Sequence, residues 1–298
     1  MLPIDLPTIA YLGPEGSHSH QAALQFVQQQ LGCKDPARCE AVLKPCENFE
    51  TLLAAVDQPG SQIQMALLPI ENALEGSVTQ VMEALSLKHP QLVAYCELII
   101  PVIHCLIQGA PGPVHTILSH PQALAQCRET LKTLFGDDVK YEATSSTSRA
   151  AHLVREKAEP GLTAVGTLAA ASLYGLHVLK EDISDAPDNR TRFLLVGHRQ
   201  TPVDLPLWAN LPRKMSFCIG LADRPGVLAD LLLVFKAYQV NLTRIESRPS
   251  KKKMGEYLFY LDTEVPPDPA AYDKVMLYLQ AEAQYLHTLG PYASLGVL

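Results

Sequence analysis

The sequence predicts an α/β protein: a large first region of two lobes with mainly parallel sheets, then a smaller ferredoxin-like βαββαβ module. Three observations predict it. Strand-like apolar runs alternate with helix-periodic segments from Thr8 to about residue 198. His198 to Arg213 then holds Pro202, Pro206 and Pro212 and has no periodicity, the mark of a linker. Beyond it the order changes to strand, helix, strand, strand, helix, strand. A chain of 298 residues is expected to form about two domains. The boundaries read as 1–200 for the first region, 201–213 for the linker and 214–298 for the module. Within the first region one lobe takes about 1–100 plus 180–200, the other about 101–179.

Taken in order, Thr8–Leu12 is a buried strand. Gly13-Pro14-Glu15-Gly16-Ser17-His18-Ser19-His20 leads from it into a helix with Ala23, Phe26, Val27 and Leu31 on one face. A glycine-containing loop capped by Ser17 or Ser19 gathers free N–H groups, which suits either an anion or a plain capped turn. It does not fit G-x-G-x-x-G, so a dinucleotide is not expected. A strand over Glu40–Cys46, a helix from near Asn48 and a strand over Met65–Pro69 continue the alternation. Glu71 and Asn72 follow at the carboxyl end of that strand, where open α/β sheets bind ligands. A helix capped by Gly76 or Ser77 carries Val78, Val81, Met82 and Leu85 inward.

Two apolar runs, Gln91–Ile100 and Val102–Ile107, are broken by Pro101 and suggest the crossing into the second lobe. There, strands at Thr116–Ser119, Val139–Glu142 and Thr163–Gly166 alternate with helices opened by Pro121, by Thr144–Ser148 and by Thr167. Five hydroxyls in 144–148 exceed what one cap needs, and at the positive end of a helix they suit an anion. Asp188–Arg192 then runs into the strand of Phe193–Val196. Arg192 offers a planar fork suited to a carboxylate, and Thr191 a neutral donor beside it. After the linker, strands at Met215–Leu221, Asn241–Arg248, Glu256–Thr263 and Tyr285–Leu289 enclose helices at Val227–Tyr238 and Tyr272–Ala281.

Composition excludes several classes. The net charge of -7, with no basic stripe interleaved with aromatics, argues against nucleic acid. Lys251–Lys253, flanked by Ser250 and Gly255, reads as a solvated turn. No apolar run is long enough to span a bilayer, and Met1–Asp5 has no signal-peptide pattern, so a cytoplasmic protein is expected. Seven cysteines at spacings unlike zinc sites read as free thiols. His18 and His20 are two apart and cannot share a helix face, so no metal is expected.

These segments, in this order, resemble the monofunctional prephenate dehydratases over essentially the whole chain. The motifs are Gly13–Ser17 with Ser19–Ala23, Glu71-Asn72 with Glu75-Gly76, Ser119–Leu124, and Thr191-Arg192-Phe193. The last module resembles an ACT domain, with Asp223–Leu228 at its first turn and Glu246-Ser247-Arg248-Pro249 matching the family's phenylalanine-binding motif. Two departures are Ala73, where the family usually has Ser, and Val227, where Ala is commoner. No chorismate mutase helices precede Thr8, so a monofunctional enzyme is expected.

The resemblance implies a periplasmic-binding-protein-like catalytic domain that turns prephenate into phenylpyruvate without a cofactor, feedback-regulated by phenylalanine, in a homodimer or homotetramer. It implies Thr191 as the essential hydroxyl, with Arg192 and Phe193 beside it. A tight ion pair on the departing carboxylate would stabilise the ground state over neutral CO₂, so hydroxyls and N–H groups suit that end. Arg192 is then expected to clamp the pyruvyl carboxylate. Glu71, Asn72, Ser17, Ser145, Ser146, Thr147 and Ser148 are the other expected substrate contacts. The phenylalanine site is expected at Pro225, Gly226, Val227 and Leu228, at Asn241 and Leu242, and at Glu246, Ser247, Arg248 and Pro249. Two alternatives remain: an arogenate dehydratase, or a two-lobed sensor without chemistry.

Overall fold

The structure is a computed structural model that describes residues 6–203, 205, 208, 210–250, 256–266 and 268–298. Lys251–Lys253, where a turn is expected, and the Met1–Asp5 segment lie outside the described residues. In the first lobe the strands Leu43–Cys46, Ile9–Leu12 and Met65–Asn72 lie side by side and parallel. Arg190–His198, returning from the second lobe, inserts between Met65–Asn72 and Leu92–Pro101 and runs antiparallel to both. This corrects the expectation of mainly parallel sheets: the chain leaves the lobe along Leu92–Pro101 and re-enters it, so the return strand must run the other way. The second lobe is also mixed, in the order His177–Lys180, Cys105–Gln108, Leu162–Gly166, Thr116–Ser119, Lys140–Ala143.

The C-terminal module has the expected βαββαβ order, with helices Val227–Ala237 and Pro269–Glu282. Its sheet is not separate. The last strand, Tyr285–Val297, pairs with Arg213–Gly220 on one side and runs parallel to Leu92–Pro101 on the other, with Ala293 opposite Cys96. One ten-stranded sheet therefore spans the first lobe and the module. One apolar core joins Leu52, Met82, Leu85 and Val196 of the lobe to Cys218, Tyr260, Leu289 and Tyr292 of the module. Within the expected linker, Trp208 is buried with its ring centroid 6.0 Å from that of Phe26.

Local signals explain the shifted boundaries. The expected strand from Glu40 begins only at Leu43, because Asp35 caps and Pro36 opens a short helix, Pro36–Ala41. Gly76–Ser77 does not cap the next helix but pairs with Glu71–Asn72, and the helix starts at Thr79. The strand His177–Lys180 is exposed throughout and shows no alternation, so its sequence carried no signal.

Candidate active site

Between the lobes lies a cleft of about 510 Å³. The first lobe contributes Ser17, Asn72 and Thr191, and the second His120 and Ser145–Thr147. Two helices of opposite lobes begin at this cleft. Ser17 caps His18–Gln25 through the His20 N–H, and Ser146 caps Thr147–Lys157 through the Arg149 N–H. The first turns of both helices thus bring donor N–H groups and positive dipole ends to the same space. The lobes are tied at one rim, where Thr167 Oγ1 donates to the Gly16 carbonyl at 2.8 Å and Ser148 Oγ donates to the Glu15 carbonyl. Gly16 has φ +75°, and an added Cβ would stand 3.1 Å from Ala170 across the rim.

Thr191 is held by an amide whose orientation the backbone fixes. Asn72 Oδ1 accepts the N–H groups of Leu74 and Glu75, each at 3.0 Å, so the other end of the amide must be the NH₂. That NH₂ donates to Thr191 Oγ1 at 3.0 Å and to Asn189 Oδ1 at 2.9 Å. Thr191 therefore accepts from Asn72 and keeps its own proton to donate into the cleft. The polarity carries onward: Asn189 Nδ2 donates to Gln126 Oε1 at 3.4 Å, so His104 Nε2, 2.9 Å from the same oxygen, is also a donor. The His104 Nδ1 atom is left as a buried lone pair without a partner. His18 packs edge-on to this ring at 5.2 Å between centroids. Burial, with His104 beside it, pushes the His18 imidazole down to about 3. Burial likewise lowers His104, against the opposing effects of Gln126 and Asp182. Both rings are neutral donors or acceptors near pH 7. Among the described residues lining the cleft there is no lysine or arginine, and the one carboxylate is Glu75.

The structure moves four expected contacts out of the cleft. Arg192 follows Thr191 on a strand and so points to the opposite face. There its Nε donates to Glu97 at 2.7 Å, Nη1 to Asp262 at 2.7 Å and Glu71 at 3.1 Å, and Nη2 to the Tyr292 hydroxyl at 3.2 Å. Burial opposes its charge, but Asp262, Tyr292 and Glu97 raise its pKa above the ordinary value. With its donors committed, Arg192 is no carboxylate clamp but a tie between the strand bearing Thr191 and the C-terminal module. Glu71 shares that tie and does not line the cleft. Phe193 is buried in the apolar core with Tyr11, Leu67 and Leu98. Ser148 is buried and committed to the rim.

Ser17, Asn72, Ser145, Ser146, Thr147 and Thr191 do meet in the cleft. Sequence reasoning missed His104, Gln126 and Asn189. The available signal was a lone polar residue in an apolar run, His104 between Ile103 and Cys105. In the module, Gly226 has φ +83° and precedes the helix Val227–Ala237. Asn241 precedes, and Leu242 opens, the edge strand Leu242–Pro249 that carries Glu246, Ser247, Arg248 and Pro249.

Residues 9–201 match the family described as prephenate dehydratase, and residues 218–275 match the ACT domain. The chain belongs to the prephenate dehydratase family. It is 33% identical to the prephenate dehydratase of Methanocaldococcus jannaschii, covering 95% of this chain and 97% of that protein. It is 36% identical to arogenate dehydratase 2 of Petunia hybrida, covering 96% of this chain and 71% of that protein. The prephenate dehydratase of Arthrobacter aurescens, solved in complex with L-Phe, superposes with a TM-score of 0.78 at 31% identity, covering 96% of this chain and 89% of that one. The protein is thus a carbon–oxygen lyase, a prephenate dehydratase with an ACT regulatory domain.

Proposed function

We propose that the interlobe cleft converts prephenate to phenylpyruvate, CO₂ and water with neutral groups alone. One observation carries this: Thr191 accepts from Asn72 and presents its own proton to a cleft without a cation. The bond from the ring to its carboxylate breaks, the electron pair moves through the diene, and the C4 hydroxyl leaves with a proton from solvent. Thr191 donates a hydrogen bond to that hydroxyl and stabilises the charge gathering on its oxygen. The helix starts behind Ser17 and Ser146 receive the carboxylates without a salt bridge that would hold back CO₂. The test is phenylpyruvate formation by wild type and Thr191→Val. Replacing the hydroxyl is expected to lower kcat by about 10²–10³, the usual loss for one such donor, with KM changed little. Wild-type turnover in the variant would end this role for Thr191.

A second substrate is favoured by the same cleft. Arogenate carries an ammonium where prephenate carries a keto group, so its net charge is less negative, and Glu75 is a carboxylate able to receive it. Turnover of both substrates by one preparation separates the two readings.

Phenylalanine is the proposed effector, bound around Pro225–Leu228, Asn241, Leu242 and Glu246–Pro249. The support is the ACT match and the L-Phe complex of the Arthrobacter relative. A homodimer or homotetramer is part of this reading. The unpaired edge strand Leu242–Pro249, with Ile245 exposed, offers a surface for a second copy. Light scattering with and without phenylalanine measures it. A cytoplasmic location belongs to the same reading, supported by seven free cysteines, six of them buried.

A further inference from the structure

On the strand Leu242–Pro249, Arg244, Glu246 and Arg248 fall at spacing two and so share one face. Glu246 sits between the arginines: its Oε2 accepts from Arg244 Nη2 and its Oε1 from Arg248 Nε, both at 2.6 Å. Each arginine also reaches into the catalytic region. Arg244 Nη2 donates to Ser77 Oγ at 2.8 Å, and Arg248 Nη2 donates to Thr79 Oγ1 at 2.8 Å. Ser77 lines the cleft, and Gly76–Ser77 pairs with Glu71–Asn72, whose Asn72 holds Thr191. Burial works against a charge on Glu246, yet hydrogen bonds with Ser77 and Arg248 and both guanidinium charges keep its carboxyl below the usual range. It therefore stays ionised and aims both arginines.

Backbone bonds hold part of this segment: Ala73 N–H donates to the Arg190 carbonyl, Leu74 and Glu75 N–H to Asn72 Oδ1, and Val78 N–H to the Ile70 carbonyl. Residues 73–76 are exposed, and among the described residues its only ladder is a two-residue pairing. The hydroxyls of Ser77 and Thr79 add the grip of the two arginines to those backbone bonds.

We propose that Arg244 and Arg248 are positioning residues of the catalytic cleft, holding the wall of residues 76–79 through the hydroxyls of Ser77 and Thr79. We further propose that an amino-acid effector acts on the reaction by drawing these guanidinium groups away. The second half rests on the reading of Glu246–Pro249 as the effector motif. An effector with an ammonium and a carboxylate competes for Glu246 and for Arg248 respectively. A guanidinium that turns to the effector releases Thr79, and the cleft wall loosens. A ligand on the module shifts the cleft only by binding two arrangements with different affinity, and this contact supplies such a difference.

The experiment is a double-mutant cycle of Thr79→Val and Arg248→Gln, with kcat measured first without phenylalanine. Each single change is expected to lower kcat by about three- to tenfold, and the double no further, because both remove one contact. Additive losses, or no loss, overturn the positioning role. Thr79→Val is then titrated with phenylalanine. Calorimetric binding is expected within about threefold of wild type, with inhibition weakened by about tenfold or more. Binding and inhibition both as in wild type would refute the route. If wild type itself binds no phenylalanine, the effector reading fails separately, and the kcat cycle still decides the positioning role. If Arg248→Gln does not fold, Thr79→Val, which exchanges one hydroxyl for a methyl, carries both measurements.

Discussion

Arg192→Met separates the two roles that an arginine beside Thr191 can have. A clamp would lose substrate affinity and leave folding intact. A tie would lose stability and leave KM nearly alone. The structure lets the loss be apportioned. Glu97 keeps Lys214 at 2.6 Å and Ser294 at 2.6 Å when the guanidinium is removed. Asp262 does not fare as well: its Oδ1 has no partner, and its Oδ2 keeps only Arg244 at 3.9 Å. The methionine fills most of the space of the arginine stem, so the damage falls on one buried, uncompensated carboxylate. Breaking a buried pair in this way costs about 3–5 kcal/mol. The assay is urea unfolding at pH 7, read by the fluorescence of the single tryptophan, Trp208, alongside steady-state kinetics. The expected result is that loss of unfolding free energy, with KM for prephenate within about threefold of wild type. Adding Asp262→Leu should recover part of it, since replacing both partners by apolar groups is often neutral. Unchanged stability with a large rise in KM would restore the clamp and refute the reasoning.

Asn72→Asp tests the polarity of the Thr191 contact. The new carboxylate still accepts from Leu74 and Glu75 but cannot donate to Thr191, whose hydroxyl must then turn its proton toward that carboxylate and away from substrate. Its kcat is expected to fall by about 10²-fold with circular dichroism unchanged, and wild-type kcat would contradict the assignment. His18 predicts a pH dependence of stability. Its folded value is depressed to about 3 from 6.5, so below pH 6.5 the unfolded chain binds the proton that the folded chain refuses. Stability should therefore fall with pH between 6.5 and 4, by up to about 1.4 kcal/mol per unit from this group. Urea unfolding at pH 4.5, 5.5 and 6.5 should show a shallower fall in His18→Gln, and equal slopes would dismiss the effect. Gly16→Ala should destabilise, because φ +75° strains any L side chain and its Cβ would press on Ala170 across the rim. A loss of about 1–3 kcal/mol is expected, and a neutral result would mean that the rim is free to open.

How far the sequence could be read depended on the range of the physics. Alternation of strands and helices is local, and it placed nearly every element, including the whole βαββαβ order. Capping is local too, and Ser17, Ser146 and Thr167 cap the helices that follow them. Pairing is not local. Nothing in Tyr285–Val297 announces that it will run beside Leu92–Pro101 and merge two sheets. The same gap misplaced Arg192. Its neighbour Thr191 faces the cleft, and strand alternation alone should have turned Arg192 away, but the buried acids that receive it lie 95 and 70 residues distant. Asn189 and Gln126 were illegible for a similar reason: an amide takes its role only from what it is paired with.

The placement of the one arginine in the signature segment has a chemical logic. A guanidinium at a carboxylate is strong because both charges are fixed. It helps a reaction only if the carboxylate is still charged at the transition state. Here one carboxylate becomes neutral CO₂, and a cation held against it would be lost as the bond breaks. The cleft is lined by hydroxyls and helix starts, and in the proposed reaction their hydrogen bonds weaken less than an ion pair as charge departs. Arg192, one residue from Thr191, directs its charge to the other face, against acids that include Asp262 of the regulatory module. Through Arg192, the strand that carries Thr191 is bonded directly to Asp262 and Tyr292 of the module. Alternation along a single strand thus sets Thr191 in the cleft and Arg192 against the regulatory module.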